Sequence, residues 1–236
     1  MSMLKIPVTI LVSWAFKKCV TPPLPPPPKT ELMQPNADVE WYTQGVLPIA
    51  AAMQVTAGLA EVVTILACNY PGNFLSELIL TFLVAHGGRP EALRLSPVTI
   101  IGAAMMLSGS LIRVLTYRYL GRFFHYEASI QKNHELIVTG PYSVVRHPSY
   151  TGFLLSHPGW FLWQFGAGSW VRESGLWNTV LGKIIVGSYA HTVIVGTLWT
   201  VLRRMKSEDD ALKRQFGKKW DAWARDVPYL ILPGIY

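Results

Sequence analysis

Four stretches of this chain run for about the width of a bilayer almost without charge. Residues 95–112 hold no Asp, Glu, Lys or Arg, and Arg113 closes the run. Residues 148–171 are likewise uncharged and end at Arg172; 176–202 carry only Lys183, and 46–68 only Glu61. A helix needs about 20 mostly apolar residues to cross a hydrocarbon core of about 30 Å, so each stretch predicts a transmembrane helix. Lys183 can snorkel or face protein. Glu61 is an intramembrane carboxylate, so it is either a functional group or a paired structural one. The composition agrees: 50% of the residues are hydrophobic and only 15% charged, against roughly a quarter in soluble domains. A disordered chain is excluded, and so is a disulfide scaffold, because Cys19 and Cys68 are the only cysteines.

Two further segments are weaker. Residues 1–20 are apolar between Lys5 and Lys17, with no small-residue cleavage site, and read as a retained first span or signal anchor. Residues 74–85 carry Glu77 and are short for a crossing; they read as re-entrant, interfacial or tilted. The expected fold class is therefore all-α: a polytopic helical membrane protein with about five transmembrane helices, six if 74–85 crosses. Residues 21–29 hold six prolines, which cannot continue a helix and predict a stiff polyproline II linker. We divide the chain at 95/96, into N-terminal spans (1–95) and a membrane core (96–236).

The formal net charge is +7. The basic residues lie between and after the apolar runs, so positive-inside topology explains them, and no nucleic-acid partner is expected. Two polar segments, 113–146 and 203–236, fall on one side of the membrane. Arg113, Arg118, Arg122, Lys132, Arg203, Arg204, Lys206 and Lys213 make that side cytosolic. In the second segment Leu212, Phe216, Trp220, Trp223 and Val227 form an amphipathic stripe, broken by Gly217 and ended by Pro228. It predicts a cytosolic C-terminal amphipathic helix.

Chemistry concentrates in two places. One runs from His134 through Gly140-Pro141-Tyr142 to Arg146-His147-Pro148-Ser149-Tyr150. Gly140-Pro141 marks a turn, and Pro148 suits a first helical position. Arg146 and His147 then stand at a helix N-terminus, a place that favours anions; the alternative is that Arg146 only anchors the helix to lipid head groups. The other is Arg203-Arg204-Met205-Lys206-Ser207-Glu208-Asp209-Asp210. Arg204 and Glu208 share a helix face at four-residue spacing, either as a surface ion pair or as contacts to an anionic substrate and a polar cofactor. There is no HExxH or Cys/His cluster, so no metal site is expected, and no Rossmann fingerprint, P-loop or GxSxG elbow. His125, His134 and His147 are too widely spaced to infer ligation, and His191, inside the last span, reads as a helix–helix hydrogen-bond partner.

These two constellations resemble the isoprenylcysteine carboxyl methyltransferase family. The resemblance covers about 96–236 and rests on HELIVTGPYSVVRHPSYTG, then EDDALKRQFGKKWDAW and a closing VP. RHPxY stretches also occur in phospholipid N-methyltransferases and membrane sterol reductases. Departures are the short acidic run Glu208-Asp209-Asp210, and Asp226 where the family often has a basic residue. The resemblance implies S-adenosylmethionine as cofactor and a prenylated CaaX cysteine carboxylate as substrate. It implies membrane lipids as surroundings and the endoplasmic reticulum as location. It also implies cofactor contacts at Gln131, His134, Glu135, Leu136, Ile137, Tyr142, His147, Tyr150 and Glu208. Arg204 becomes a substrate contact, and Arg146 joins the two pockets.

The chemistry fits on its own terms. An α-carboxyl group, with a pKa of about 3.5, is already ionised at neutral pH, so methyl esterification needs alignment and no general base. An arginine can fix the carboxylate, and a gap between lipid-facing helices admits the prenyl tail. Alternatives are a phospholipid N-methyltransferase, whose amine needs a base; an NADPH-dependent sterol reductase; and a non-catalytic lipid-binding protein.

Overall fold

A computed structural model describes residues 3–28, 41–126, 129 and 131–235. Met1 and Ser2 of the first apolar segment and Lys29 of the proline run lie outside the described residues. The helices are α1 (Lys5–Val20), α2 (Leu47–Asn69), α3 (Phe74–Leu83), α4 (Pro97–Leu120), α5 (Pro148–Phe165), α6 (Val180–Phe216) and α7 (Lys218–Asp226). A π-type turn, Trp41–Val46, leads into α2, and Trp170–Glu173 adds one helical turn between α5 and α6. Among the described residues there is no strand, and the all-α expectation holds.

Local chemistry sets the boundaries. Ser96 and Thr99 cap α4 reciprocally, with Pro97 behind them at the first helical position. Pro148 opens α5 in the same way. Thr179 caps α6 through Gly182 N. Gly217, at φ +51°, separates α6 from α7; a side chain there would meet the strain of the left-handed region. Thr21–Pro28 carries no helix, as the prolines require.

Among the described residues, three helical stretches are long and apolar enough to cross a membrane: Trp41–Asn69, Pro97–Phe123 and Val180–Phe216. The chain is an integral membrane protein. α1, with 16 residues, and α5, with 18, are shorter, at ~24 and ~27 Å. They pack beside the longer helices. α3 has ten residues, about 15 Å, or half of the hydrocarbon core. That length fits an interfacial or re-entrant helix and excludes a full crossing. α6 continues 14 residues past the apolar run ending at 202, reaching Phe216, so the amphipathic stripe is divided between its final turns and α7.

The helices meet through small residues and buried polar groups, the two devices available where lipid is as apolar as the core. Gly102 and Gly109 of α4 face Gly159 and Gly152 of the antiparallel α5. A Cβ on Gly109 would sit 2.5 Å from Gly152 O, and one on Gly102 2.8 Å from Gly159 O. Across the bundle, Gln164 donates to Gln54 Oε1 at 2.6 Å, and Gln54 donates to Ser13 Oγ at 3.1 Å. Glu61 is paired: Lys5 Nζ lies at 2.6 Å, Thr9 Oγ1 at 2.8 Å and the Trp170 amide at 3.0 Å. Of its two readings the structural one holds, since these partners occupy both carboxylate oxygens.

Arg113 corrects one expectation. It is no surface cation marking the cytosolic side; it is 1% exposed inside the bundle. Its Nε donates to Cys19 O at 2.7 Å, Nη1 to Ser149 Oγ at 2.8 Å and Nη2 to the Tyr126 hydroxyl at 2.7 Å. The guanidinium also lies 3.7 Å over the Phe153 ring. A charge left in an apolar run is tolerated when every donor finds an acceptor. His191 is corrected too: it sits on the exposed face of α6, not at a helix–helix contact.

Gly109→Val should lower the melting temperature in detergent, at a cost of roughly 1–3 kcal/mol from overpacking. Gly187→Ala, where a Cβ would meet nothing within 4 Å, should be neutral or slightly stabilising. Equal melting of the two variants would contradict the close-packing account.

Candidate active site

The C-terminal end of α4, the C-terminal half of α6 and the N-terminal ends of α2 and α5 converge at one end of the bundle. There they line a cavity partly open to solvent; the space between its walls, open solvent included, is about 1110 Å³. Ten of the eleven residues expected at the site line it: His134, Glu135, Leu136, Ile137, Tyr142, Arg146, His147, Tyr150, Arg204 and Glu208. Gln131 does not. Its Nε2 donates to Arg122 O at 2.9 Å and its amide faces His134 Nδ1 at 3.5 Å, so it backs His134 from outside.

The polar wall is a connected network. Glu208 Oε1 accepts from the Tyr150 hydroxyl at 2.7 Å and from Arg204 Nη2 at 2.7 Å. This is the four-residue pair read from sequence, with α5 contributing a third member. Side-chain exposure is 9% for Arg204 and 19% for Glu208, so the pair is not the solvated surface bridge that is worth little. His147 Nε2 donates to Asp209 Oδ1 at 3.1 Å, and its Nδ1 lies 3.7 Å from Glu208 Oε2. Arg146 Nη2 reaches Asp209 Oδ2 at 3.5 Å. Arg146 Nε is buried with no hydrogen-bond partner among the described residues, and such a donor normally has one.

The aromatic wall comes from the loop after α4. The rings of His134 and Phe123 stack at 4.6 Å between centroids. Burial holds the His134 imidazole below its ordinary value, so it is neutral near pH 7. Burial likewise pushes the Tyr142 phenol up, and it stays protonated. Tyr142, Trp220, Trp223 and Val227 form a separate apolar cluster, and Trp223 Nε1 donates to Tyr142 O at 3.1 Å. The amphipathic stripe therefore clamps the Gly140-Pro141-Tyr142 turn.

Several contributors were not legible beforehand. Tyr42, Thr43 and Leu47 bring the N-terminal part of the chain into the cavity wall, and the Tyr42 hydroxyl bonds Thr197 Oγ1 on α6. The tail holds the Arg146-His147 backbone: Arg146 N donates to Tyr229 O at 2.9 Å and His147 N to Leu230 O at 2.8 Å. The closing VP, at Val227-Pro228, was the available signal, since it marks where the chain turns back.

Comparison with known proteins gives the same picture. Residues 98–171 match the phospholipid methyltransferase family model. The chain is 28% identical over 129 residues to protein-S-isoprenylcysteine O-methyltransferase B of Arabidopsis thaliana, covering 54% of this chain and 55% of that one. It is 28% identical over 142 residues to protein-S-isoprenylcysteine O-methyltransferase of Homo sapiens, covering 59% and 43%. The resemblance to the isoprenylcysteine carboxyl methyltransferase family is borne out. The chain spans about half the length of these relatives. The family-model match runs from α4 through the Arg146-His147 turn to the end of α5 and the short turn after it.

His134 carries a pH prediction. Its folded-state pKa lies below the unfolded value of about 6.5, so the unfolded chain takes up the proton first as pH falls. The contribution to stability is complete above about pH 6.5 and is lost as pH drops through the folded-state value. Melting temperatures should therefore decline from pH 7.5 to 5, and His134→Gln should flatten part of that decline. An identical slope in the variant would contradict the assignment.

Proposed function

We propose that this protein is an S-adenosylmethionine-dependent methyltransferase that esterifies the C-terminal carboxylate of prenylcysteine in processed CaaX proteins. Its catalytic face is cytosolic, its membrane that of the endoplasmic reticulum, and lipids surround its apolar belt. Residues 96–236 supply the catalytic core; 1–95 supply spans and part of the cavity wall. The observation that carries the reading is Arg146, a cavity-lining residue whose Nε–H has no hydrogen-bond partner among the described residues. A guanidinium on the cavity wall can take a bound carboxylate.

The residues present fit the cofactor. Glu208 and Glu135 offer acceptors for its hydroxyl and amino groups, and His134, Phe123, Leu136 and Ile137 offer aromatic and apolar surface. Bound there, S-adenosylmethionine supplies an electrophilic methyl group. Tyr150 and Arg204 hold the Glu208 carboxylate in one orientation. Leu47, Phe153 and Val201 give the cavity an apolar side suited to a hydrocarbon tail. Aligning two bound reactants can be worth on the order of 7–11 kcal/mol.

One observation favours a second reading. His147 lies between Asp209 and Glu208, an arrangement able to take a proton from an amine. The same cavity then serves phospholipid N-methylation, in line with the description of the matching family model.

The full chain in detergent, given labelled methyl donor and either a farnesylated cysteine acceptor or phosphatidylethanolamine, separates the two. Base-labile label on the cysteine acceptor is expected. Arg146→Ala should lower kcat/KM by roughly a hundredfold or more, as loss of a desolvated charge contact does. Base-stable label on the lipid alone would move the assignment to N-methylation.

A further inference from the structure

Asp209 stands behind the cavity wall rather than on it. Its side chain is 14% exposed, and both carboxylate oxygens are directed at two consecutive residues that do line the cavity. Oδ1 accepts from His147 Nε2 at 3.1 Å, and Oδ2 faces Arg146 Nη2 at 3.5 Å. Glu208, its neighbour on α6, instead holds Tyr150 and Arg204 and faces the cavity. Two adjacent acids on one helix thus act in different layers.

The backbone of Arg146 and His147 is already fixed by the carbonyls of Tyr229 and Leu230. What Asp209 adds is side-chain orientation. A carboxylate that accepts from one ring nitrogen fixes which nitrogen bears the proton and which way the ring faces. Here Nε2 faces Asp209 at 3.1 Å and Nδ1 faces Glu208 at 3.7 Å, so the shorter contact to Asp209 favours the proton on Nε2. On Arg146 the contact is an ion pair at Nη2; Nε is buried with no hydrogen-bond partner among the described residues, and the guanidinium carbon lies 5.6 Å over the Trp220 ring. An arginine anchored from outside by one nitrogen presents its remaining donors in a fixed direction.

We propose that Asp209 is a positioning residue of the methyl-transfer site, holding the His147 ring and the Arg146 guanidinium so that the guanidinium meets the anionic group of the acceptor. It touches neither reactant. The kinetic consequence rests on the prenylcysteine reading; the ring orientation does not.

Two measurements on the full chain in detergent test it. In protein labelled with nitrogen-15 histidine, the His147 ring signals are identified by their loss in His147→Gln. Wild type should show a proton held on Nε2, Asp209→Asn should shift those signals toward averaged tautomers, and Asp209→Glu should keep them near wild type. Ring signals unmoved by Asp209→Asn overturn the proposal. In methyl-ester kinetics, Asp209→Asn should raise the acceptor KM about tenfold, with S-adenosylhomocysteine affinity within about threefold of wild type. In an Arg146→Ala background the same change should alter acceptor KM less than about twofold, because two residues acting as a unit are not additive. Equal loss of donor and acceptor binding, or full additivity, makes Asp209 merely structural and overturns the proposal. If wild type forms no methyl ester, the prenylcysteine reading fails and the ring signals alone decide the role of Asp209.

Discussion

The close contact of α4 and α5 is the constraint from which the site follows. Gly102 against Gly159 and Gly109 against Gly152 let two backbones approach with no side chain between them. A Cβ on Gly152 would fall 2.7 Å from Arg113 Cγ, so the same missing atom makes room for the buried arginine. Arg113 then reaches Ser149 at the start of α5, Cys19 at the end of α1 and Tyr126 in the loop. One guanidinium thus ties three elements together beside the cavity, which it also lines. The large cost of an unpaired intramembrane charge becomes a reason for these parts to stay together.

The wall of the cavity is assembled from the two polar segments the sequence singled out, and electrostatics explains their distance. RHPSY and EDD lie some sixty positions apart in the chain because a membrane hairpin, α5 and α6, must leave and return between them. Two cations, Arg146 and Arg204, meet two acids, Asp209 and Glu208, with His147 between the acids. Charges balanced in this way can be buried.

Much of this was legible in the residues. Charge-free runs gave the positions of α2, α4, α5 and α6, because hydropathy and length suffice to recognise helices in a bilayer. Gly217 and Pro148 marked boundaries through backbone chemistry that acts locally. Arg113 was misread as a surface cation because its acceptors come from residues 19, 126 and 149, which no local pattern connects. Glu61 stayed ambiguous until Lys5, 56 positions away, was placed beside it. Gln131 falls outside the cavity because the loop turns its side chain back to Arg122. The roles of Tyr42 and of the tail carbonyls were invisible for the same reason: a carbonyl has no residue identity, and long-range packing leaves no periodic trace.

The central claim is that this cavity is built for a methyl donor. Calorimetric titration of the detergent-purified chain with S-adenosylhomocysteine and, separately, with NADPH tests it most directly. The account predicts saturable binding of S-adenosylhomocysteine, weakened by Glu208→Ala, and none of NADPH. Binding of NADPH alone would contradict it and assign the cavity to reductase chemistry.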